Sequence, residues 1–209
     1  MGIHIVEIFE SIQGEGVYAG RPVLFIRTHG CNRECKFCDT KYSNKKDFKD
    51  MPTSKLASVI DDYEGDTVVF TGGEPLLQFA SIKEVMNACL LPKLFHLETN
   101  GDFLIETKLN WFSFVTVSPK NRKVAELVES LRAWKSGYKK KLSIKVVTDL
   151  RLVGTKLLPY ATMVMPLTTG RPVTDRRIRR EVWEYCVEHR LRYSPRLHAE
   201  VWGWKKRRK

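Results

Sequence analysis

Short apolar, β-branched runs alternate along the chain with longer stretches whose apolar residues recur every three or four positions. The first pattern predicts strands at residues 3–9, 23–28, 67–71, 94–98, 114–117, 142–147 and 161–165. Residues 53–63 predict a helix, with Thr53 as its capping residue and Leu56, Val59 and Ile60 on one face. A second helical stripe runs through Ile82, Val85, Met86, Cys89 and Leu90, and residues 124–134 predict a third helix. Ile178, Val182, Tyr185, Cys186 and His189 mark one face of a long C-terminal helix, and residues 192–197 read as a last strand.

Repeated strand–helix units predict an α/β fold of mostly parallel strands with outer helices. Ligands of such folds gather beyond the carboxyl ends of the strands. The chemically distinctive segments fall there. Cys31 follows one strand, Gly72-Gly73-Glu74-Pro75 another, Glu98 closes a third, and Ser118-Pro119-Lys120 follows a fourth.

At 209 residues and 43% hydrophobic content, the expectation is one domain over residues 1–209 with a basic tail at about 203–209. The N-terminal residues lack a secretory pattern, and no run reaches the length of a membrane helix, so a cytoplasmic protein is expected. The net charge of +12 concentrates at residues 139–141, 176–180 and 205–209. That charge admits nucleic acid as a partner, but no aromatic-and-glycine RNA-binding pattern accompanies it. A solvated basic surface or attraction of small anions is the favoured reading.

Cys31, Cys35 and Cys38 form a C-x3-C-x2-C run. Three thiolates on one short loop would leave one iron of a cubane cluster without a protein ligand, open for chemistry. A structural zinc site, with His29 as fourth ligand, stays open on counting alone. A disulfide with a thiol left over fits poorly with five cysteines and no secretory signal. Cys89, Cys186 and His189 read as packed residues on helix faces.

The cysteine loop together with Thr71-Gly72-Gly73-Glu74-Pro75 resembles the radical S-adenosylmethionine (SAM) superfamily. Phe9-Glu10-Ser11-Ile12-Gln13-Gly14-Glu15-Gly16, Cys38-Asp39-Thr40, Glu98-Thr99-Asn100-Gly101, Ser118-Pro119-Lys120 and Arg196-Leu197-His198 follow one another in an order similar to that of the 7-carboxy-7-deazaguanine synthase family. The resemblance spans nearly the whole chain. It implies a shortened, incomplete (β/α) barrel, a homodimer, and a lyase that contracts the ring of 6-carboxy-5,6,7,8-tetrahydropterin with loss of ammonia. It also implies a [4Fe-4S] cluster, SAM, Mg²⁺ and a reducing partner such as a flavodoxin or ferredoxin.

Residue by residue, the resemblance makes Cys31, Cys35 and Cys38 cluster ligands and Thr40 a Mg²⁺ contact. Phe37, Asp39, Gly73, Glu74, Ser118, Pro119, Lys120 and Pro166 fall at cofactor-binding positions. Ile12, Gln13, Gly14, Glu15, Arg27, Thr71, Glu98 and His198 fall at substrate positions. Read from its own chemistry, Arg27 offers a fork of donors suited to a carboxylate, and Glu74 a carboxylate suited to an ammonium.

Two departures from the family pattern stand out. Met165-Pro166 replaces the usual Gln-Pro pair, and the C-terminus ends Trp202-Gly203-Trp204-Lys205-Lys206-Arg207-Arg208-Lys209. In some members the terminal carboxylate reaches the substrate, and a basic tail of this kind puts that contact in doubt. Two rival functions share some features: a glycyl-radical-enzyme activase, and a non-enzymatic, metal-containing nucleic-acid-binding protein. The Ser11–Gly16 loop and Arg27 favour the small pterin over the protein glycine on which an activase acts.

Overall fold

The β-branched run from Pro22 to Thr28 forms a buried strand and anchors the first of two units. In the computed structural model, which describes residues 1–38, 40–44, 47–134 and 136–203, one unit comprises Met1–Ser11 with Pro22–Val115. The other comprises Ile12–Arg21 and the chain from Thr116 onward. Asp39 and the tail beyond Gly203 lie outside the described residues.

The first unit contains β1 (Gly2–Ile12), β2 (Pro22–Thr28), β3 (Lys49–Pro52), β4 (Thr67–Gly72) and β5 (Leu94–Thr99). Their order is β3-β1-β2-β4-β5. β2–β4 and β4–β5 run parallel, whereas the edge strand β3 is antiparallel to β1. The helices of this unit are α1 (Thr53–Asp61), α2 (Phe79–Ala88) and the short α3 (Glu106–Leu109).

Alternation along the strands sorts the side chains into two layers. On one face Val23 and Phe25 of β2 pack with Val69 of β4 and Phe9 of β1. Two residues further along the same face stand Arg27 and Thr71, paired in register at the carboxyl ends of their strands. The other face carries Leu24, Ile26, Val68, Phe70 and Leu97, all buried. Each such side chain contributes up to about 1.5–3 kcal/mol relative to exposure. Apolar burial therefore occupies the lower positions of the site-bearing face and leaves its upper rim to polar groups.

β6 (Phe114–Val117) contains the sequence boundary between the units. The second unit holds β7 (Leu142–Thr148), β8 (Met163–Pro166) and β9 (Arg192–Tyr193), with α4 (Arg122–Trp134), α5 (Ser136–Lys141), α6 (Pro172–Glu188) and α7 (Leu197–Trp202). β8 pairs in parallel with both β7 and β9. α6 buries Ile178, Val182 and Cys186 of the predicted stripe and leaves Tyr185 half-buried.

Four local expectations need correction. Thr53 does not cap α1: Pro52 holds the N-cap position, and the Thr53 hydroxyl donates to the carbonyl of Met1. The second helix ends at Ala88, leaving Leu90 exposed and Cys89 only partly buried beyond it. Asp61 caps that end by accepting from the backbone N–H groups of Leu90 and Leu91. His189 caps α6 rather than packing in its core; its ring stacks on Tyr185 with centroids 3.9 Å apart and is half exposed. The last strand stops at Tyr193, two residues before Pro195, which has no N–H for a ladder, and Leu197 starts α7.

Candidate functional site

In the first unit the chain leaves β2 at Thr28 and enters the cysteine loop within three residues. The Gly72-Gly73 turn lies hard against that exit. Gly73 and Glu74 donate their N–H groups to the carbonyls of Thr28 and Gly30, at 3.2 and 2.8 Å. A Cβ on Gly73 would collide with the Gly30 carbonyl and the Cys31 side chain, and one on Gly72, at φ 134°, with the Thr28 backbone. Both glycines are therefore required by close backbone approach.

Within the loop, Cys38 N–H donates to the Cys35 carbonyl at 3.1 Å, turning the chain so that all three thiols remain partly accessible. Burial pushes the Cys31 thiol above its ordinary pKa. The negative groups of Glu74, Cys35 and Cys38 add to that push, and the N–H of Arg33 opposes it. A cation reverses this balance, because it lets crowded thiolates ionise together. Among the described residues, no three Cys, His, Asp or Glu side chains converge at single-ion spacing. In a four-iron cluster each thiolate takes a different iron, so its ligands stand wider apart than around one ion. Three thiols on a glycine-braced loop thus fit a cluster. Phe37 is exposed, and the Thr40 hydroxyl lies 3.5 Å from Cys38 Sγ.

Glu74 is completely buried, and its carboxylate is engaged internally. Oε1 accepts from Leu76 N–H at 3.0 Å and Thr99 Oγ1 at 2.7 Å, and Oε2 from Asn100 N–H at 2.7 Å. Burial raises its pKa against the pull of these three donors. In this geometry the Glu74 side chain ties the glycine turn to the end of β5, and the turn's backbone is the part left to meet a ligand.

Three of the expected substrate residues stand together at the strand ends. Arg27 and Thr71 are register partners, and Thr71 Oγ1 donates to Glu98 Oε2 at 3.0 Å. The Nε of Arg27 donates to Glu7 Oε1 at 2.6 Å, and the same oxygen accepts from Tyr42 Oη at 2.8 Å.

The second unit gathers a different group. The Gln13 side chain is buried and its Oε1 accepts from Glu15 N–H at 3.1 Å, while Ile12 is exposed. The loop is closed by backbone bonds between Gln13 and both Gly20 and Arg21. Gly14 O accepts from Leu197 N–H at 3.0 Å, and the His198 ring lies where a Cβ of Gly14 would sit. Glu15 meets Lys145 at 2.6 Å, Arg196 at 3.1 Å and His198 at 3.7 Å. Burial alone would raise the Glu15 carboxyl, but these facing cations hold it well below the usual carboxylate range. Ser118 and Lys120 are half-buried after β6, while Pro119 and Pro166 are buried.

Sequence reasoning did not single out Glu7, Tyr42, Asn32, Arg33, Asn100, Asp102 or Lys145. Lys145 alone carried a signal: a lysine inside the otherwise apolar strand Leu142–Thr148 needs a buried partner. The others depend on contacts between residues far apart in sequence.

The Radical SAM superfamily model matches residues 25–113. The chain is 33% identical over 217 residues to the 7-carboxy-7-deazaguanine synthase of Hyperthermus butylicus, covering 95% of this chain and 92% of that one. It is 31% identical to that of Halobacterium salinarum, covering 95% and 90%. With that of Thermoplasma acidophilum the identity is 40% over 153 residues, or 70% and 72% of the two chains. The fold matches the crystal structure of QueE from Escherichia coli with a TM-score of 0.62 at 22% identity, over 93% of both chains. A match to Streptococcus suis SuiB has a TM-score of 0.57 and covers 82% of this chain but 48% of that one. The expected α/β architecture of the radical SAM type and the expected relationship are both found, and the chain belongs to the 7-carboxy-7-deazaguanine synthase family.

Proposed function

We propose that the chain converts 6-carboxy-5,6,7,8-tetrahydropterin to 7-carboxy-7-deazaguanine with loss of ammonia, in queuosine-type 7-deazapurine biosynthesis. The observation that carries this reading is end-to-end similarity to relatives named for that product. A cysteine loop and strand-end residues of matching chemistry support it. When bound, a reduced [4Fe-4S] cluster and SAM supply a 5′-deoxyadenosyl radical that removes one hydrogen from the substrate.

The chain's own residues bind, orient and shield. Cys31, Cys35 and Cys38 hold the cluster. The backbone of Gly73 and Glu74, with Phe37, Asp39, Ser118, Pro119, Lys120 and Pro166, holds SAM. Met165 removes an amide expected at the cofactor, leaving the Pro166 backbone for that contact. Arg27 takes the pterin carboxylate through its guanidinium fork. Thr71 holds the Glu98 carboxylate so that its other oxygen can accept from the guanidine-like edge of the ring. Ile12, Gln13, Gly14 and His198 close on the substrate, with Glu15 holding that loop in place. Their shared task is to keep one C–H bond in reach of the radical, which replaces an entropic cost with fixed geometry.

This reading includes one enzyme domain over residues 1–209, a Mg²⁺ ion at Thr40 completed by substrate and water, a homodimer, a flavodoxin- or ferredoxin-type reductant, and a cytoplasmic location. No helix among the described residues is long and apolar enough to cross a membrane. Neither the glycyl-radical activase nor the nucleic-acid-binding reading is favoured by the relatives. The test is anaerobic incubation of the reconstituted protein with reductant, SAM and the pterin, with and without Mg²⁺, read by mass spectrometry. The expected result is the deazaguanine acid with SAM largely recovered. Stoichiometric 5′-deoxyadenosine without any deazapurine would overturn it.

A further inference from the structure

The residues between Cys31 and Cys35 are tied to the end of β5 by a continuous set of hydrogen bonds. Arg33 makes a two-pronged contact with Asp102, from Nε to Oδ2 at 2.5 Å and from Nη2 to Oδ1 at 2.6 Å. Asn32 Nδ2 donates to the same Oδ2 at 2.6 Å. Asn32 Oδ1 accepts from Asn100 Nδ2 at 2.8 Å, and Asn100 Oδ1 accepts from Asp102 N–H at 2.9 Å. Asn100 N–H continues the chain to buried Glu74. The Arg33–Asp102 pair is largely shielded, with side-chain exposures of 31% and 14%.

The charges of this arrangement bear on a metal cluster. Hydrogen bonds to ligand sulfurs, net charge and solvent exposure set the potential of an iron–sulfur centre. Arg33 brings the second of these, a guanidinium charge inside the cysteine loop. Asp102 fixes that group, because a bidentate contact leaves the side chain little freedom, and it also cancels the charge.

We propose that Asp102 is a positioning and charge-balancing residue for the cluster. It fixes the Arg33 side chain beside the cluster ligands, and it neutralises the guanidinium that would otherwise favour the reduced cluster. The proposal rests on the assignment of Cys31, Cys35 and Cys38 as cluster ligands.

The opposite charges of the pair give a signature that a purely structural role lacks. Asp102→Asn leaves the Arg33 charge unbalanced and shifts the potential in the positive direction. Arg33→Gln leaves Asp102 unbalanced and shifts it in the negative direction. The double variant returns close to the parent. The experiment uses the full chain, reconstituted anaerobically with iron and sulfide. Iron and sulfide per chain are measured, and the potential is taken from a redox titration followed by electron paramagnetic resonance. Opposite shifts in the single variants with recovery in the double variant establish the proposal. So does loss of iron in the single variants with retention in the double. Shifts of the same sign, unchanged potentials, or loss of iron from all three variants while the parent stays loaded overturn the proposal but leave the cluster assignment standing. A parent that takes up no cluster overturns both.

Discussion

The Nε of Arg27 and the hydroxyl of Tyr42 converge on one oxygen of Glu7, at 2.6 and 2.8 Å. The guanidinium is also flanked by the rings of Phe9 and Tyr42, at 5.8 and 5.7 Å from their centroids. One side of the fork is therefore held by the protein, and the plane of the group is fixed before substrate arrives. Arg27→Lys keeps a charge but has one nitrogen where the fork has three. It cannot serve Glu7 and a substrate carboxylate in parallel geometry. The expected outcome is a rise in KM of about tenfold, the worth of one charge-assisted hydrogen bond of ~1.5 kcal/mol. The comparison that isolates the contact is inhibition by a tetrahydropterin lacking the 6-carboxylate. Its affinity should be the same for parent and variant, and an equal loss for both compounds would refute the carboxylate assignment.

The five cysteines divide by position. Cys31, Cys35 and Cys38 share the loop after β2, whereas Cys186 is buried on α6 and Cys89 donates its thiol to the Val85 carbonyl. Burial raises both outlying thiols to a pKa of about 11, which keeps them protonated and poor as ligands at neutral pH. Cys35→Ala is expected to abolish iron binding and product formation, while Cys89→Ser and Cys186→Ala keep full iron content. Iron analysis on anaerobically purified protein checks this, and retention of a complete cluster by Cys35→Ala would contradict it.

Gly73→Ala tests the glycine turn. The added methyl would overlap the Gly30 carbonyl, which is backbone and cannot swing away as a side chain can. Either the turn or the cysteine loop must move, and overpacking of this kind costs about 1–3 kcal/mol. The expected result is a lower unfolding midpoint together with weaker SAM binding by calorimetry on reconstituted protein. Gly20→Ala is the control: its Cβ would meet nothing within 4 Å, so only its positive φ of 98° is strained. An unchanged SAM affinity in Gly73→Ala would show that the turn tolerates displacement.

The strands, the parallel pairing and the placement of motifs at strand ends were legible because period-2 and period-3.6 patterns report burial directly. Arg27, Thr71 and Glu98 could be placed from sequence at the ends of three predicted strands, and they do share one rim. What holds them could not be read. Glu7 sits in an alternating strand like any exposed glutamate, and its contact with Arg27 exists only once β1 and β2 pack. The role of Glu74 also shifted. A carboxylate after a glycine pair invites a ligand ammonium in one dimension, but three internal donors claim it in three. Helix ends were misjudged where a polar side chain had a distant backbone partner, as Thr53 has in Met1.

Glu15 and Glu74, two carboxylates shielded from solvent, predict opposite responses to pH. Glu15 faces Lys145 and Arg196, both largely buried, and its pKa in the folded chain is depressed. Its stabilising contribution is complete above the ordinary carboxylate range, near pH 4.3, and is lost as pH falls from there toward the folded value. Glu74 has a raised pKa, so its favourable state is the protonated one. Its relative stability is greatest below the ordinary range and declines as pH rises through the folded value. The difference in unfolding free energy between parent and Glu15→Gln should therefore grow with pH, reaching about 3–5 kcal/mol at neutrality because two buried cations lose their counter-charge. The difference between parent and Glu74→Gln should shrink over the same interval. Urea unfolding of both variants from pH 3.5 to 7.5 gives the two slopes. A common sign would mean that one of the carboxylates does not sit in the environment described.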